Sequence, residues 1–125
     1  MMKQKRKDKN QLEKETMDEL REIRNLMAEG KNLLEKAVHT QEIEDALNIF
    51  NRAIAKASNN SQVPQVNQLH HQRGLCYFKL KQFELAEKDF QEAILMSDDK
   101  NKLAIYHSLG KCKMQLALKD PLIVH

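Results

Sequence analysis

The sequence predicts an all-α fold in which pairs of antiparallel helices follow one long N-terminal helix. Apolar residues recur at three- and four-residue steps along most of the chain, which is the period of an amphipathic helix. Only three glycines and two prolines interrupt the 125 residues, so few positions force a break. Because 41% of the residues are hydrophobic and 31% are charged, the composition is that of an ordinary helical protein with one domain at most.

The pairing of helices is predicted from small and aromatic residues between positions 70 and 93. Gly74 and Tyr77 lie on one face of a first helix, and Ala86, Phe90 and Ala93 follow on one stripe of a second. Small side chains at the crossing point let two backbones approach, and the rings fill the space beside them. The spacing therefore predicts two helices that pack closely against each other.

This pattern resembles the tetratricopeptide repeat (TPR) family, in which a glycine, an aromatic residue, an alanine, an aromatic residue and an alanine stand at these separations. The resemblance implies a short right-handed helix-turn-helix (TPR-like) solenoid of about two and a half repeats. It implies a helical domain over 11–118, with repeat one at about 26–58, repeat two at about 66–97, and a third-repeat first helix or cap at about 100–118. A basic tail over 1–10 and a C-terminal tail over 119–125 flank this domain.

A basic cluster lies at the N-terminus and consists of Lys3, Lys5, Arg6, Lys7 and Lys9. Such a run is typical of a solvated tail. The alternatives are docking on an acidic surface, such as tubulin tails, nucleic acid or anionic lipid, and nuclear targeting.

The next segment predicts one long helix over 11–39, with Gly30 as the place for a kink. Leu12, Met17 and Leu20 form an apolar stripe ahead of any repeat. That stripe needs a cover, either from the repeat core or from another chain.

A further helix is expected after Thr40, which we predict to be its N-cap, with acidic residues Glu42, Glu44 and Asp45 near the positive end of its dipole. Within this helix the alanine and aromatic spacing of the second repeat recurs without a shift. The residues are Ala46, Phe50 and Ala53.

The first repeat is four residues longer than the second between its glycine and its first alanine. Gly30 to Ala46 is 16 residues, whereas Gly74 to Ala86 is 12. An extra helical turn or a longer corner around 38–40 accounts for the difference. In an alternative alignment, Leu34 takes the place of the glycine.

Turn-forming residues over 57–65 predict a surface loop between the repeats, with Pro64 positioned to begin the next helix. A final helix over about 100–117 copies the first helix of repeat two at an offset of 36 residues, with Gly110 over Gly74. It departs from that helix where Lys113 replaces Tyr77 and Lys111 replaces Leu75. Two interpretations stay open: a polar capping helix, or a longer array cut inside its third repeat.

A search for chemistry predicts no enzyme, no cofactor and no metal site. His70 and His71 are adjacent, so on a helix they diverge by about 100° and cannot share a metal. Phosphate-binding loops, nucleophile elbows and zinc-protease motifs are not found. Cys76 and Cys112 are the only cysteines, which favours two buried thiols and an intracellular, cytoplasmic or cytoskeletal setting.

The resemblance implies a concave groove lined by first helices, and this groove is the predicted partner site. Leu75, Phe78 and Met114 are the predicted apolar anchors, whereas Lys79 and Lys111 favour an acidic partner. In the alternative, part of the stripe packs on a neighbouring helix. The predicted set is Gln68, His71, Gln72, Leu75, Phe78, Lys79, His107, Ser108, Lys111, Met114 and Gln115, with Ala104 beside them.

One branch of the family grips acidic chaperone tails with a clamp of lysine, asparagine and arginine residues, and this clamp is absent. Met27 and Lys31 stand where the first-repeat lysine and asparagine are required. Gln72, Ala104 and Ser108 replace the remaining clamp residues. The chain therefore does not resemble that branch.

These observations predict a non-enzymatic adaptor or a structural subunit of a larger cytoskeletal, axonemal or organellar assembly. Protein partners would bind to the groove, to the basic N-terminal helix, or to both. The alternative is an acidic-surface binder of tubulin tails or nucleic acid, led by the N-terminal lysines. No run approaches the roughly 18 apolar residues of a membrane span.

Overall fold

The computed structural model describes residues 8–58, 63 and 65–119. Within these residues the chain folds into five helices and has no strand, which confirms the all-α prediction. None of the described helices is long and apolar enough to cross a membrane. The helices are α1 (Lys9–Lys36), α2 (Thr40–Ser58), α3 (Val66–Lys79), α4 (Phe83–Met96) and α5 (Asp99–Lys119).

The long first helix begins and ends at local signals. The Asp8 side chain accepts a hydrogen bond from the backbone N–H of Gln11 at 2.7 Å, which caps α1. The helix continues through Gly30 and ends at Lys36, where Ala37 adopts an extended conformation. The predicted end at residue 39 was therefore three residues too late.

The cap of α2 differs from the prediction. Thr40 is the first helical residue, and the carboxylate that accepts backbone N–H groups at this end belongs to Glu42. It accepts from Val38 at 3.2 Å and from His39 at 3.1 Å. These two bonds lower the pKa of Glu42. A carboxylate at the third helical position can reach back to the preceding backbone, and here it provides the cap.

The helices pack mainly on their neighbours in the chain, from α1 against α2 to α4 against α5. Smaller contacts join α1 to α3 and α3 to α5. Each pair turns at a short corner, which covers 37–39 between α1 and α2 and 80–82 between α3 and α4. Sequential pairs with contacts between alternate helices form a TPR-like helical repeat.

Two hydrophobic clusters form the core. Ala46 and Ala86 are fully buried, as the close packing of helix pairs requires. Leu75 of α3 packs against both clusters and so joins them. The first cluster contains Ile23, Leu26, Met27, Leu34, Ala46, Phe50, Ala53, Ala57, Leu69 and Cys76. The second contains Phe83, Ala86, Phe90, Ala93, Ile105 and Cys112.

A phenylalanine ring covers the first-helix glycine in each complete helix pair. A Cβ atom at Gly30 would lie 2.7 Å from Cζ of Phe50, and one at Gly74 would lie 2.6 Å from Cε1 of Phe90. Gly30 is therefore the counterpart of Gly74. The alternative alignment is wrong, because the residue under the Phe50 ring is Gly30 and not Leu34.

The four extra residues of the first repeat lie in its helices. Both corners have three residues, so the longer corner is not found. One extra residue lies between the glycine and the end of α1, and the other three lie between the start of α2 and Phe50. About one helical turn is added, as the first of the two predictions stated.

The predicted loop over 57–65 begins later than expected. Ala57 and Ser58 are helical, and Ala57 is buried in the first cluster. Val63 packs against the same cluster. Residues 59–62 and Pro64 lie outside the described part of the chain, as do the residues over 120–125.

The last helix packs by one face only. Ile105 and Cys112 are buried, and the Cys112 thiol donates to the carbonyl oxygen of Phe83 at 3.0 Å. Lys111 and Lys113 are exposed, as a polar cap would require. Leu103 and Tyr106 are exposed as well, so both interpretations of this helix, a polar cap or a longer array cut inside its third repeat, stay open.

Candidate partner-binding groove

Helices α3 and α5 lie side by side, and a side-chain hydrogen bond joins them. Nε2 of His71 lies 2.9 Å from the hydroxyl oxygen of Ser108. The imidazole also meets the ring of Phe90 edge-on, with 5.7 Å between the ring centroids. Burial lowers the pKa of His71, so the ring is held in its neutral form near pH 7.

A cavity of about 230 Å³ lies between α3 and α5. We call it the apolar cavity, because its lining surface is mostly carbon and includes Leu75, Phe78 and Phe90. Lys79 and Lys111 also line this cavity. Nζ of Lys79 also lies 3.4 Å from the carbonyl oxygen of Leu34, which ties this lysine to α1. Ser108 completes the lining.

A second cavity of about 230 Å³ lies among α1, α3 and α5, and it is mainly polar. Lys31 of α1 contributes a charge, while the amides and the imidazole on α3 contribute donors and acceptors. We call it the polar cavity. Its lining residues are Lys31, Asn67, Gln68, His71, Gln72, Asn101, Ala104 and Ile105.

The structure places most of the predicted groove residues at these two cavities. Five of them line the apolar cavity, and Gln68, His71 and Gln72 line the polar cavity. His107, Met114 and Gln115 line neither cavity. The five are Leu75, Phe78, Lys79, Ser108 and Lys111.

Part of the predicted stripe also packs on a neighbouring helix, as the alternative interpretation stated. The ring of Phe78 meets that of Phe83 edge-on, with 5.3 Å between the centroids. Leu75 is half-buried against both clusters. These two side chains therefore hold the helices together and line the cavity at the same time.

Comparison with known families finds a match to the segment that contains α3, one of the two helices that line this groove. The family model of the tetratricopeptide repeat matches residues 68–99. The chain carries a tetratricopeptide repeat. The match covers most of α3, all of α4 and the first residue of α5. Comparisons with curated proteins and with solved structures found no match. A TPR suggests a protein–protein interaction module, and the family is typically non-enzymatic.

A buried ionic cluster, which the sequence did not predict, links the matched repeat to α2. Asp89 of α4 is 4% exposed and accepts two hydrogen bonds from the guanidinium of Arg73, both at 2.8 Å. Nδ1 of His70 lies 3.1 Å from the same carboxylate. Arg73 also donates to the side-chain oxygen of Asn51 on α2 at 3.2 Å. The cluster joins three helices at the base of the repeat.

Opposing effects act on the pKa of Asp89. Burial raises it, but the hydrogen bonds from His70 and Arg73 and the positive charge of Arg73 outweigh burial and lower it. The carboxylate is therefore ionised in the folded chain at neutral pH. In the sequence, the only signal for this cluster is an aspartate next to Phe90 on the buried side of α4, because its partners lie on another helix.

The two cysteines are free and buried. Burial raises the pKa of Cys76 to about 12 and also raises that of Cys112. Both thiols are therefore protonated at neutral pH and unsuited to nucleophilic chemistry. Among the described residues, no group of three or more histidine, cysteine, aspartate or glutamate side chains is placed to hold a metal ion.

The first half of α1 extends beyond the two hydrophobic clusters. Leu12 and Met17 are each at least half exposed, and together with Leu20 they line an open hollow on the helix surface. Lys9 lies at the end of this hollow. The other predicted docking residues, Lys3, Lys5, Arg6 and Lys7, lie outside the described part of the chain.

Proposed function

We propose that this chain is a non-enzymatic adaptor or structural subunit that binds a segment of a partner protein in the groove between α3 and α5. The apolar cavity carries the proposal, because its carbon-rich lining also includes two lysines, which carry positive charge. Such a surface suits a segment with a bulky apolar side chain and an adjacent aspartate or glutamate.

The two lysines have different roles in this proposal. Nζ of Lys79 lies 3.4 Å from the carbonyl oxygen of Leu34, so its ammonium group has a fixed place beside α1. Lys111 is exposed on α5. A fixed charge favours one position of a bound carboxylate, whereas an exposed charge mainly speeds encounter with an acidic segment.

Selection from a displayed library of random peptides tests this proposal on the intact chain. We expect the enriched peptides to share an apolar residue next to an acidic one. We expect Lys79→Glu combined with Lys111→Glu to abolish their binding. Lys88→Glu combined with Lys100→Glu is the matched control, because both lysines are exposed and line neither groove cavity. Equal loss in both double variants, or enrichment of peptides without acidic residues, contradicts the proposal.

We also propose a contact at the first half of α1, within a larger cytoskeletal, axonemal or organellar assembly. Its support is the exposed pair Leu12 and Met17, which lies outside both hydrophobic clusters. Changing both residues to glutamine would remove this contact and leave groove binding intact. Recovery of the same assembly with that variant argues against it.

The alternative function is binding to an acidic surface, such as tubulin tails or nucleic acid, through Lys3, Lys5, Arg6, Lys7 and Lys9. It predicts a steep loss of affinity between about 50 and about 200 mM salt, since each phosphate or carboxylate contact releases a counterion. Groove binding predicts a shallow dependence. A variant with the five residues changed to glutamine separates the two.

We propose an intracellular location, in the cytoplasm or on the cytoskeleton. The free, buried thiols of Cys76 and Cys112 support it, because reduced cysteines persist in reducing compartments. Alkylation of the protein in denatured cell extracts should find both thiols reduced. A disulfide would contradict this location.

A further inference from the structure

The face that α3 presents to α4 has a counterpart on α5. On α3, Gly74 lies under the ring of Phe90, His70 binds Asp89, and Tyr77 packs into the second cluster. Helix α4 therefore covers this face of α3 along its length.

Thirty-six residues later, α5 repeats the same positions with Tyr106, Gly110 and Lys113. Leu103 lies two turns before Gly110, and Met114 lies one turn after it. We call these five residues the outer face of α5. Within the described part of the chain it is open: Leu103, Tyr106 and Met114 are 79%, 53% and 63% exposed, and a Cβ atom at Gly110 would meet no described atom within 4 Å.

We propose that the outer face of α5 binds an acidic amphipathic helix of a partner protein, with a phenylalanine of that helix seated over Gly110. The partner helix would lie on α5 as α4 lies on α3. This surface is separate from the groove, whose cavities are lined on α5 by Asn101, Ala104, Ile105, Ser108 and Lys111.

The packing within the chain indicates a phenylalanine. Both covered glycines, Gly30 and Gly74, lie against a phenylalanine ring of the next helix. Around each ring, that helix has an alanine one turn before and another three residues after. A ring over Gly110 would find Tyr106 on one side and Met114 on the other, since each is one turn away. Rings and thioethers make favourable contacts with an aromatic ring.

Charge indicates an acidic helix. Along α5, Asp99 is opposed by Lys100, Lys102, Lys111, Lys113 and Lys119. Lys113 stands on the outer face itself, at the position that Tyr77 holds on α3. Helix α4, which covers the other side of α5, is acidic: it contains Glu84, Glu87, Asp89 and Glu92 against Lys88.

The same charges disfavour a second copy of the chain as the occupant. Two α5 helices face to face would bring two sets of lysines together, and like charges at an interface oppose association. A partner helix with the composition of α4 would instead bring carboxylates to Lys113 and its neighbours.

The probe is a labelled, acetylated peptide of residues 82–97, which contains α4 and its ring residue Phe90. Fluorescence anisotropy measures its binding to the intact chain. We expect saturable binding that a Phe90→Ala version of the peptide loses. We expect the Gly110→Leu chain to bind at least about tenfold more weakly, because leucine fills the place of the ring. Since the position is open, this variant should fold normally, which circular dichroism checks.

The control is Lys79→Gln on α3, which changes the groove and should leave the peptide affinity unchanged within about twofold. Three results overturn the proposal: no saturable binding by about 1 mM, equal binding of the two peptides, or equal binding by the Gly110→Leu chain. Sedimentation tests self-association. A dimer of the wild-type chain that dissociates in the Gly110→Leu variant overturns the proposal in favour of a second copy.

Discussion

Gly74 on α3 and Gly110 on α5 occupy equivalent positions in the sequence and opposite environments in the structure. A phenylalanine ring covers Gly74, whereas the space above Gly110 is empty of described atoms within 4 Å. Both helices bury their other side in the same way, at Cys76 and Cys112. The difference shows that the repeat pattern marks where a ring can pack, and that the following helix decides whether one does.

The largest expected effect comes from removing the ring. Phe90→Ala should lower the free energy of unfolding by about 3–5 kcal/mol, because it leaves a cavity over Gly74 in the second cluster. Urea denaturation followed by circular dichroism measures it. Tyr106→Ala is the control on the uncovered helix and should change stability by less than about 0.5 kcal/mol. Similar losses of unfolding free energy in both variants would contradict the difference in packing between α3 and α5.

The second effect concerns the ionic cluster, which α3 has and α5 does not repeat. Asp89→Ala should destabilise the chain by about 2–4 kcal/mol, because Arg73 and His70 lose their shared acceptor. On α5 the corresponding residues are Leu109 and Tyr106. Urea denaturation at pH 7 measures the loss. If the free energy of unfolding fell by less than about 1 kcal/mol, water would be solvating Arg73 and His70 in place of the carboxylate at little cost.

The pH dependence of stability tests the same cluster. The pKa of Asp89 is lower in the folded chain than in the unfolded chain, so its contribution is present above the unfolded pKa of about 3.9. It is lost as the pH falls through the folded pKa. The wild type and Asp89→Asn should therefore differ most near pH 7 and converge in acid. A constant difference in the free energy of unfolding down to about pH 2.5 would contradict the lowered pKa.

The third test compares the two glycines directly. Gly74→Ala should cost about 1–3 kcal/mol, because its Cβ atom would lie 2.6 Å from the Phe90 ring. Gly110→Ala should instead stabilise the chain by about 1 kcal/mol, since alanine favours helix and meets no neighbour. Thermal and urea unfolding give both values. If Gly74→Ala also raised the free energy of unfolding, the Phe90 ring would have to move aside freely.

The smallest effect lies at the corner after α3. Lys81 has a φ angle of 62°, in the left-handed region that side chains disfavour. Lys81→Gly should stabilise the chain by up to about 1 kcal/mol. At the corner after α1, Ala37 has a φ angle of −64°, so Ala37→Gly should destabilise it slightly. Differential scanning calorimetry measures the change in melting temperature of each variant. Equal changes would contradict the difference in backbone conformation.

The fold could be predicted because its determinants are local in sequence. Ala46, Phe50 and Ala53 repeat the spacing of the second pair, and all three are fully buried. The place of the extra helical turn could not be predicted, because a longer corner gives the same number of residues between Gly30 and Ala46. The bounds of the helices, together with the Phe50 ring over Gly30, resolve it.

The candidate site was partly predictable. Helical spacing alone placed Leu75, Phe78 and Lys79 on one stripe, and the structure brings Lys111 to the same cavity. The ionic cluster was not predictable, because Asp89 and its partners lie on different helices and share no spacing. The exposure of Tyr106 depends on whether another helix packs on α5, and the period of the apolar residues carries no information about that.

One side chain of the ionic cluster also links the two helix pairs. Asp89 on α4 holds the Arg73 guanidinium by two hydrogen bonds, and Arg73 donates from there to Asn51 on α2. Separating the pairs breaks the bond to Asn51 and leaves both bonds to Asp89 inside the second pair. Slow amide exchange should therefore end in α2 before it ends in α4, so that the chain opens pair by pair.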